Sequence, residues 1–432
     1  MSTSSPLKTA EIVAVGSELL GSTRLDTNSL FISERLAGLG IELRTKVVVG
    51  DDRAQLAAVF RQALGRADLV VLTGGLGPTD DDLTRDVVAD VLGLPLDLDE
   101  QIVARIERRF ARRGLKMPDV NRRQALVPRG ALVLENANGT APGLLIDHDD
   151  RLIALLPGPP REVQPMIEAL CEGPLRERAG TERLYKATLF VTGRSESHVE
   201  EVAQPIYSRL GRAVPPISTT ILAVPGQVEL HLSLRERDAA RAQQMLDAAR
   251  EELHEALGPD VFSIDGRSME QLVGERLLTA GYTFAAAESC TGGLLTSRLT
   301  DVPGSSAYVR ASIVAYDNDA KIALLGVPRE LIEQHGAVSE PVAVAMAEGA
   351  RARTGADVSV AITGIAGPGG GTPSKPVGTV VIAVLVPSEP AYVHTYSFIG
   401  GRALVKFQST QAALDRVRRM LEHAPVRGRR AQ

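Results

Sequence analysis

The sequence predicts an α/β protein of three domains, and three observations lead there. The chain has 432 residues, more than the roughly 250–300 that one core usually serves. Short apolar runs alternate with stretches of helical spacing, as parallel strands joined by helices do. Several of these runs end in loops rich in Gly and Pro, and a parallel sheet binds its ligands at those carboxyl ends. Boundaries are expected near the Gly/Pro punctuation, giving domains at 1–173, 174–260 and 264–423 with a basic tail at 424–432.

In the first domain, residues 11–16 (EIVAVG) read as a buried strand. Residues 28–39 carry Leu30, Phe31, Leu36 and Leu39 near helical spacing, and Gly40 suits a left-handed C-terminus. A second apolar run follows at 43–50, a helix at 56–64 and a third strand at 67–73. Residues 73–86 then read TGGLGPTDDDLTRD, in which acids open a helix running to about Leu92. Gly74 and Gly75 let a ligand approach the backbone. Asp80, Asp81 and Asp82 either cap the helix or hold a divalent cation between protein and phosphate, because hard cations take oxygen ligands. Residues 138–143 (NGTAPG) and 156–162 (LPGPPRE) are two further loops, the second following a strand at 152–156. Pro159-Pro160 is expected to stop any immediate helix.

The middle segment shows strands near 185–191 and 227–234 and a helix over 238–256. His198, His231 and His254 lack metal-ligand spacing, so this segment reads as a structural connector.

The last domain opens with Ser268 and Gln271, a capping-box pattern. An apolar stripe of Met269, Leu272, Val273, Leu277 and Ala280 ends at Gly281. A strand at 282–287 runs into Glu288-Ser289-Cys290-Thr291-Gly292-Gly293, followed by a helix at 294–299. Between strand and helix, Ser289 is either an N-cap or a nucleophile surrounded by free backbone donors. Cys290 is the rival nucleophile, without an evident His partner. A second junction, SIVAYDNDAK at 312–321, places Tyr316 and Lys321 near a strand end. Lys321 is either a surface lysine or a desolvated base, and serine with a lysine base is a known activated pair. A third strand feeds the loop ending VSVAITGIAGPGGG, 358–371, which is either a flexible turn or a phosphate cradle.

Composition narrows the classes of function. Hydrophobic residues at 44% and charged residues at 23% are ordinary for globular protein. A net charge of −5 leaves no broad footprint for nucleic acid, and the one compact basic run noted is the tail Arg427, Arg429 and Arg430. Two cysteines, Cys171 and Cys290, make no disulfide framework. With no signal-peptide pattern and no apolar stretch of about 18 residues, a cytoplasmic protein that does not enter membranes is expected.

The motifs AESCTGG (287–293), YDNDAK (316–321), HGAVSEPV (335–342), TGIAGPGGG (363–371) and KPVGTV (375–380) together resemble the CinA, competence/damage-inducible family, over essentially the whole chain. The last domain is similar to nicotinamide mononucleotide deamidase, which needs no cofactor. The first is similar to the molybdopterin-binding fold, associated in full-length relatives with ADP-ribose pyrophosphatase activity. The resemblance implies that Ser289 attacks the carboxamide carbon and that Tyr316 and Lys321 activate it and relay protons. Thr291, Gly292, Gly304, Thr363 and Arg402 would bind the nucleotide or support the oxyanion. In the first domain, Gly74, Gly75, Thr79, Asn138 and Gly158 would hold phosphate. Asp80, Asp81 and Asp82 would hold a divalent metal, Mg2+ or a transition metal such as Co2+. The sequence departs from the family near Gly401 and Lys406, where many relatives carry an acid and an arginine. The resemblance also implies a homodimer. A molybdopterin-binding module, or an accessory role in competence or DNA recombination, are the readings from other classes.

Overall fold

The computed structural model describes residues 6–425; the basic tail at Arg427, Arg429 and Arg430 lies outside them. The fold is α/β throughout, and the chain divides into two compact units. One holds residues up to Tyr185 together with Leu234–Gln243; the other holds Lys186–Ser233 and residues from Gln244 on. The stretch expected as a connector, 174–260, is thus shared between them.

The first unit is built on a six-stranded sheet. Its order is Glu42–Val49, Thr9–Val15, Leu69–Thr73, Arg151–Leu156, Gly143–His148, Leu132–Leu134. The first four strands are parallel, as expected, but Gly143–His148 runs against them, and Leu132–Leu134, paired antiparallel to Gly143–His148, returns to their direction. A short turn at Asp149 and Asp150, both at positive φ, returns the chain directly and needs no crossover helix. Both sheet faces are covered. Ile12, Val71 and Ala154 pack with Ile32 and Leu36 of helix Asn28–Gly38 and Val163 and Ile167 of helix Pro160–Glu172. On the other face Val13, Val70 and Ile153 pack with Phe60 of helix Arg53–Arg66 and Val87 of helix Thr84–Leu92.

Helix Pro160–Glu172 corrects the sequence reading, in which the two prolines stop any immediate helix. Pro160 occupies the first helical position, where the missing N–H has no partner to lose and the fixed φ suits the helix. The proline pair therefore starts the helix, and the LPGPPRE loop joins strand to helix tightly.

In the second unit a five-stranded sheet runs Val309–Val314, Phe284–Glu288, Val358–Gly364, Thr379–Leu385, Tyr392–Ser397. The first three strands are parallel, Thr379–Leu385 runs against them, and Tyr392–Ser397 pairs antiparallel with Thr379–Leu385. Period-two alternation sends Ala286, Val360, Ile362 and Ile382 toward helices Met269–Ala280 and Arg402–Leu421. Ala287, Ala361, Val381 and Ala383 face Val342 and Met346 of helix Glu340–Thr354. The capping box at Ser268 and Gln271 forms as the pattern predicts. A further sheet has the order Ile217–Val224, Gln227–Glu236, Arg183–Val191, Val261–Ser263. Its helix Glu196–Leu210 and strand Ile217–Val224 had no counterpart in the sequence reading.

Candidate functional site

The strand Phe284–Glu288 stops one residue before Ser289, whose amide donates to Ile362 O at 2.9 Å on the neighbouring strand. Gly292 and Gly293 then take φ of 62° and 93°, left-handed values that a side chain resists, and turn the chain into helix Leu294–Thr300. The turn is held from beneath by Glu288, which is fully buried. Its carboxylate accepts from the amides of Gly293, Leu295 and Thr296 at 3.0 Å each and from the Thr296 hydroxyl at 3.1 Å. Glu288 thus caps the helix that Ser289 was a candidate to cap. The sequence reading missed this role; an acid ahead of a Gly-Gly turn and a helix is the signal that could have found it.

Ser289 does not cap that helix, and its hydroxyl donates to Tyr316 O at 3.5 Å. Its Oγ lies 3.2 Å from Lys321 Nζ. Lys321 is 2% exposed, and its Nζ also donates toward the carbonyls of Ala315, Tyr316 and Asp317 at 3.0, 3.1 and 3.3 Å. Burial lowers its pKa below the ordinary lysine value, while Asp317 and Cys290 pull it back upward. Among the described residues Lys321 forms no ion pair, so the carbonyl cradle and the pull of Asp317 and Cys290 offset the burial of its charge only in part. Cys290 is disfavoured as a nucleophile: burial pushes its thiol up to about 11.

The remaining expected residues fall at several distances from this pair. Tyr316 contributes its carbonyl to Lys321, but its side chain is exposed and its hydroxyl accepts from Arg402 Nη2 at 2.6 Å. No hydrogen bond joins that hydroxyl to Ser289 or Lys321 among the described residues. Arg402 also donates to Gly367 O at 2.9 Å, tying the first turn of helix Arg402–Leu421 to the third glycine-rich loop. Thr363 follows the residue that pins the Ser289 amide, and its hydroxyl donates to Ala337 O. Thr291 is buried with its Oγ1 unpartnered, and the amides of Cys290 and Thr291 have no backbone acceptor among the described residues. Gly304 begins a short turn at φ 86°, and a Cβ there would meet nothing within 4 Å. Lys406 stands over the nucleophile turn: a Cβ at Gly292 would lie 3.8 Å from its Nζ. With Arg402 one helical turn earlier, two cations flank the exposed Gly292 and Tyr316.

The first unit holds a cavity of about 490 Å³ at the carboxyl ends of its parallel strands. Gly74, Gly75, Asp81, Asp82, Asn138 and Gly158 line it. The Gly74 position demands glycine, since a Cβ would meet Val15 O at 2.2 Å. Asn28 and Asn138 donate to Gly158 O and Arg161 O, both at 2.7 Å, which fixes the third loop. The three aspartates separate. Asp82 accepts from the Thr79 amide and hydroxyl at 2.9 and 2.6 Å, Asp80 pairs with Arg123 at 2.9 Å, and Asp81 faces the cavity. None caps helix Thr84–Leu92, whose N-cap is Leu83. Among the described residues no three acids, histidines or cysteines gather as a metal site. Sequence reasoning missed Glu18, Asp51, Arg109 and Arg113 on the cavity wall, which distant segments contribute.

These features define an α/β chain with two ligand-ready units, one presenting a serine backed by a buried lysine amine at a strand-to-helix turn. The chain belongs to the CinA family. Residues 266–421 match the CinA C-terminal domain, and residues 11–177 match the probable molybdopterin binding domain. A CinA-like protein of Koribacter versatilis is 47% identical over 416 residues, covering 95% of this chain and 99% of that one. A putative competence-damage inducible protein of Symbiobacterium thermophilum is 49% identical over 378 residues, covering 87% of this chain and 88% of that one. The solved competence/damage inducible protein CihA from Agrobacterium tumefaciens is 39% identical; the match spans 38% of this chain and 100% of that one, with a TM-score of 0.35. No helix among the described residues is long and apolar enough to cross a membrane.

Proposed function

We propose that the second unit hydrolyses the carboxamide of nicotinamide mononucleotide to nicotinate mononucleotide and ammonia. The observation that carries this reading is the 3.2 Å approach of a buried lysine amine to the Ser289 hydroxyl. A neutral amine has a lone pair that can take the serine proton once the hydroxyl turns from Tyr316 O toward Nζ. Ser289 Oγ attacks the carboxamide carbon as Lys321 takes its proton, and the cradle of carbonyls then holds the ammonium. The developing oxyanion falls to the amides of Cys290 and Thr291, which have no backbone acceptor among the described residues. Lys321 returns the proton to the departing nitrogen, the C–N bond breaks and ammonia leaves an ester on Ser289. Water, deprotonated by the same amine, cleaves the ester and restores the serine. Arg402 and Lys406 supply the positive charge that the nucleotide phosphate requires. Tyr316 acts through Arg402, placing that guanidinium at the mouth.

For the first unit, the cavity supports cleavage of the ADP-ribose diphosphate. Magnesium-like ions commonly take one or two carboxylates and complete their shell with substrate phosphate and water, so a preformed three-acid cluster is not required. Asp81, with Glu18 and Asp51 on the same wall, fits that mode. Bound there, a divalent ion would neutralise phosphate charge and acidify the attacking water. A screen of the purified chain against both substrates, with and without chelator, tests the two readings together. Ammonia release from nicotinamide mononucleotide indifferent to chelator, with ADP-ribose cleavage abolished by it, is expected. Absence of ammonia release, or its loss on chelation, overturns the first reading; chelator-resistant ADP-ribose cleavage overturns the second.

A further inference from the structure

Helix Glu100–Ala111 and the turn after it carry five arginines within nine positions: Arg105, Arg108, Arg109, Arg112 and Arg113. Three of the pairs are i,i+4 neighbours of like charge, a placement that costs a helix a few tenths of a kcal/mol per pair. The negative end of the helix dipole accounts for Arg108 and Arg109 in the last turn but not for Arg105. Counter-charge is sparse. Arg105 lies 3.6 Å from Glu135, itself 89% exposed, and keeps its Nη2 buried and unpartnered. Among the described residues Arg108, Arg112 and Arg113 have no acid within pairing distance. This is a concentration of positive charge on a chain of net charge −5.

The cluster is not a featureless surface. Arg105, Arg108, Arg109 and Arg112 line a second cavity of about 370 Å³, together with the loop from Glu135 to Ala137. Its other wall is shared: Arg109, Gly139 and Thr140 line both this cavity and the larger one that holds Asp81. Arg109 is fixed at the boundary by its bond to Ala137 O at 2.9 Å. The two cavities are therefore neighbours: the larger combines acids and glycine loops with Arg109, Arg113 and Arg161, and the smaller is lined by four arginines and a single acid, Glu135.

We propose that the arginine-lined cavity is an annex to the first unit's site, taking a phosphomonoester carried on the diphosphate substrate. The proposal rests on the diphosphate-cleaving reading of that unit. Guanidiniums bind phosphate bidentately, and several converging on one cavity favour a dianion over a neutral ribose hydroxyl. The favoured substrate is then ADP-ribose bearing a 2′-phosphate on its adenosine ribose. Arg108→Ala/Arg112→Ala removes two exposed side chains outside the larger cavity.

The experiment measures binding of 2′-phosphorylated ADP-ribose, ADP-ribose and inorganic phosphate to the full chain by calorimetry, and cleavage of both nucleotides with magnesium. Tighter binding of the phosphorylated nucleotide by about tenfold or more is expected, lost in the double variant while ADP-ribose binding stays unchanged. Equal binding of the two nucleotides overturns the annex. So does inorganic phosphate competing no better in the wild type than in the variant, or salt-sensitive retention of single-stranded DNA that the variant abolishes, which assigns the arginines to nucleic acid. Preferential binding without cleavage of either nucleotide keeps the annex and defeats the diphosphate-cleaving reading alone.

Discussion

Lys321 Nζ and Ser289 Oγ meet at 3.2 Å although 32 positions separate them in the chain. Two adjacent parallel strands, Phe284–Glu288 and Val309–Val314, end side by side; the first passes into the turn that presents Ser289 and the second leads into helix Asn318–Leu325, which carries Lys321. Substituting Lys321→Met keeps much of the volume and removes the amine. Turnover of nicotinamide mononucleotide is expected to fall by about 10²–10⁴, the usual worth of a general base. Single-turnover kinetics check this, with circular dichroism to confirm the fold.

The same amine sets a pH dependence. Burial lowers the Lys321 pKa from the ordinary lysine value of 10.5, against the opposing pull of Asp317 and Cys290. The base works only when neutral, so turnover should rise with pH through the lowered lysine value and then level off. Asp317→Asn removes one opposing charge, lowers that pKa further and shifts the rising limb to lower pH. A kcat profile of both proteins measures the shift. An Asn at this position can still cap helix Asn318–Leu325, as Asp317 does through the Ala320 amide.

Cys290→Ala should retain activity within a few-fold. A thiol held near 11 is almost entirely protonated at neutral pH, so iodoacetamide should label it slowly and leave ammonia release intact. Rapid inactivation by alkylation, prevented by Cys290→Ala, is the contrary outcome.

Glu288→Ala strands the buried amide of Leu295 and the half-buried amides of Gly293 and Thr296. A loss of about 2–4 kcal/mol is expected, since each unsatisfied buried donor costs of order 1 kcal/mol or more. Denaturant unfolding of the variant measures it. Activity should fall with the ordering of the Ser289 turn even where the protein remains folded.

Lys406→Ala and Arg402→Ala should raise KM for nicotinamide mononucleotide by about tenfold to a hundredfold, in line with the loss of one charge-assisted contact. With nicotinamide riboside, which lacks the phosphate, the Lys406 variant should differ little from the wild type.

Much of this was legible in the sequence, for identifiable reasons. Strand–turn–helix punctuation marked Ser289 and Lys321, because a buried strand ending in Gly or a helix-capping acid leaves few other geometries. The capping box at Ser268 was readable because its bonds span three residues. What escaped was non-local or averaged. Glu288 looked like one acid among many until its three amides were in place. Tyr316 was expected at the serine, yet its hydroxyl joins Arg402, 86 positions away. The arginines from Arg105 to Arg113 were overlooked because the whole-chain charge hides a local excess. Pro160 was read as a helix stop because proline's effect reverses between a helix interior and its first position. The antiparallel strands were missed because the alternating pattern of parallel units gives no warning when a tight turn replaces a crossover.

Ammonia release from nicotinamide mononucleotide by the wild type and Ser289→Ala, measured side by side at equal folded concentration, tests the serine–lysine chemistry most directly. Lowering by at least about four orders of magnitude is predicted, the scale seen when a catalytic nucleophile is removed. Undiminished release from the alanine variant would contradict the serine–lysine chemistry outright.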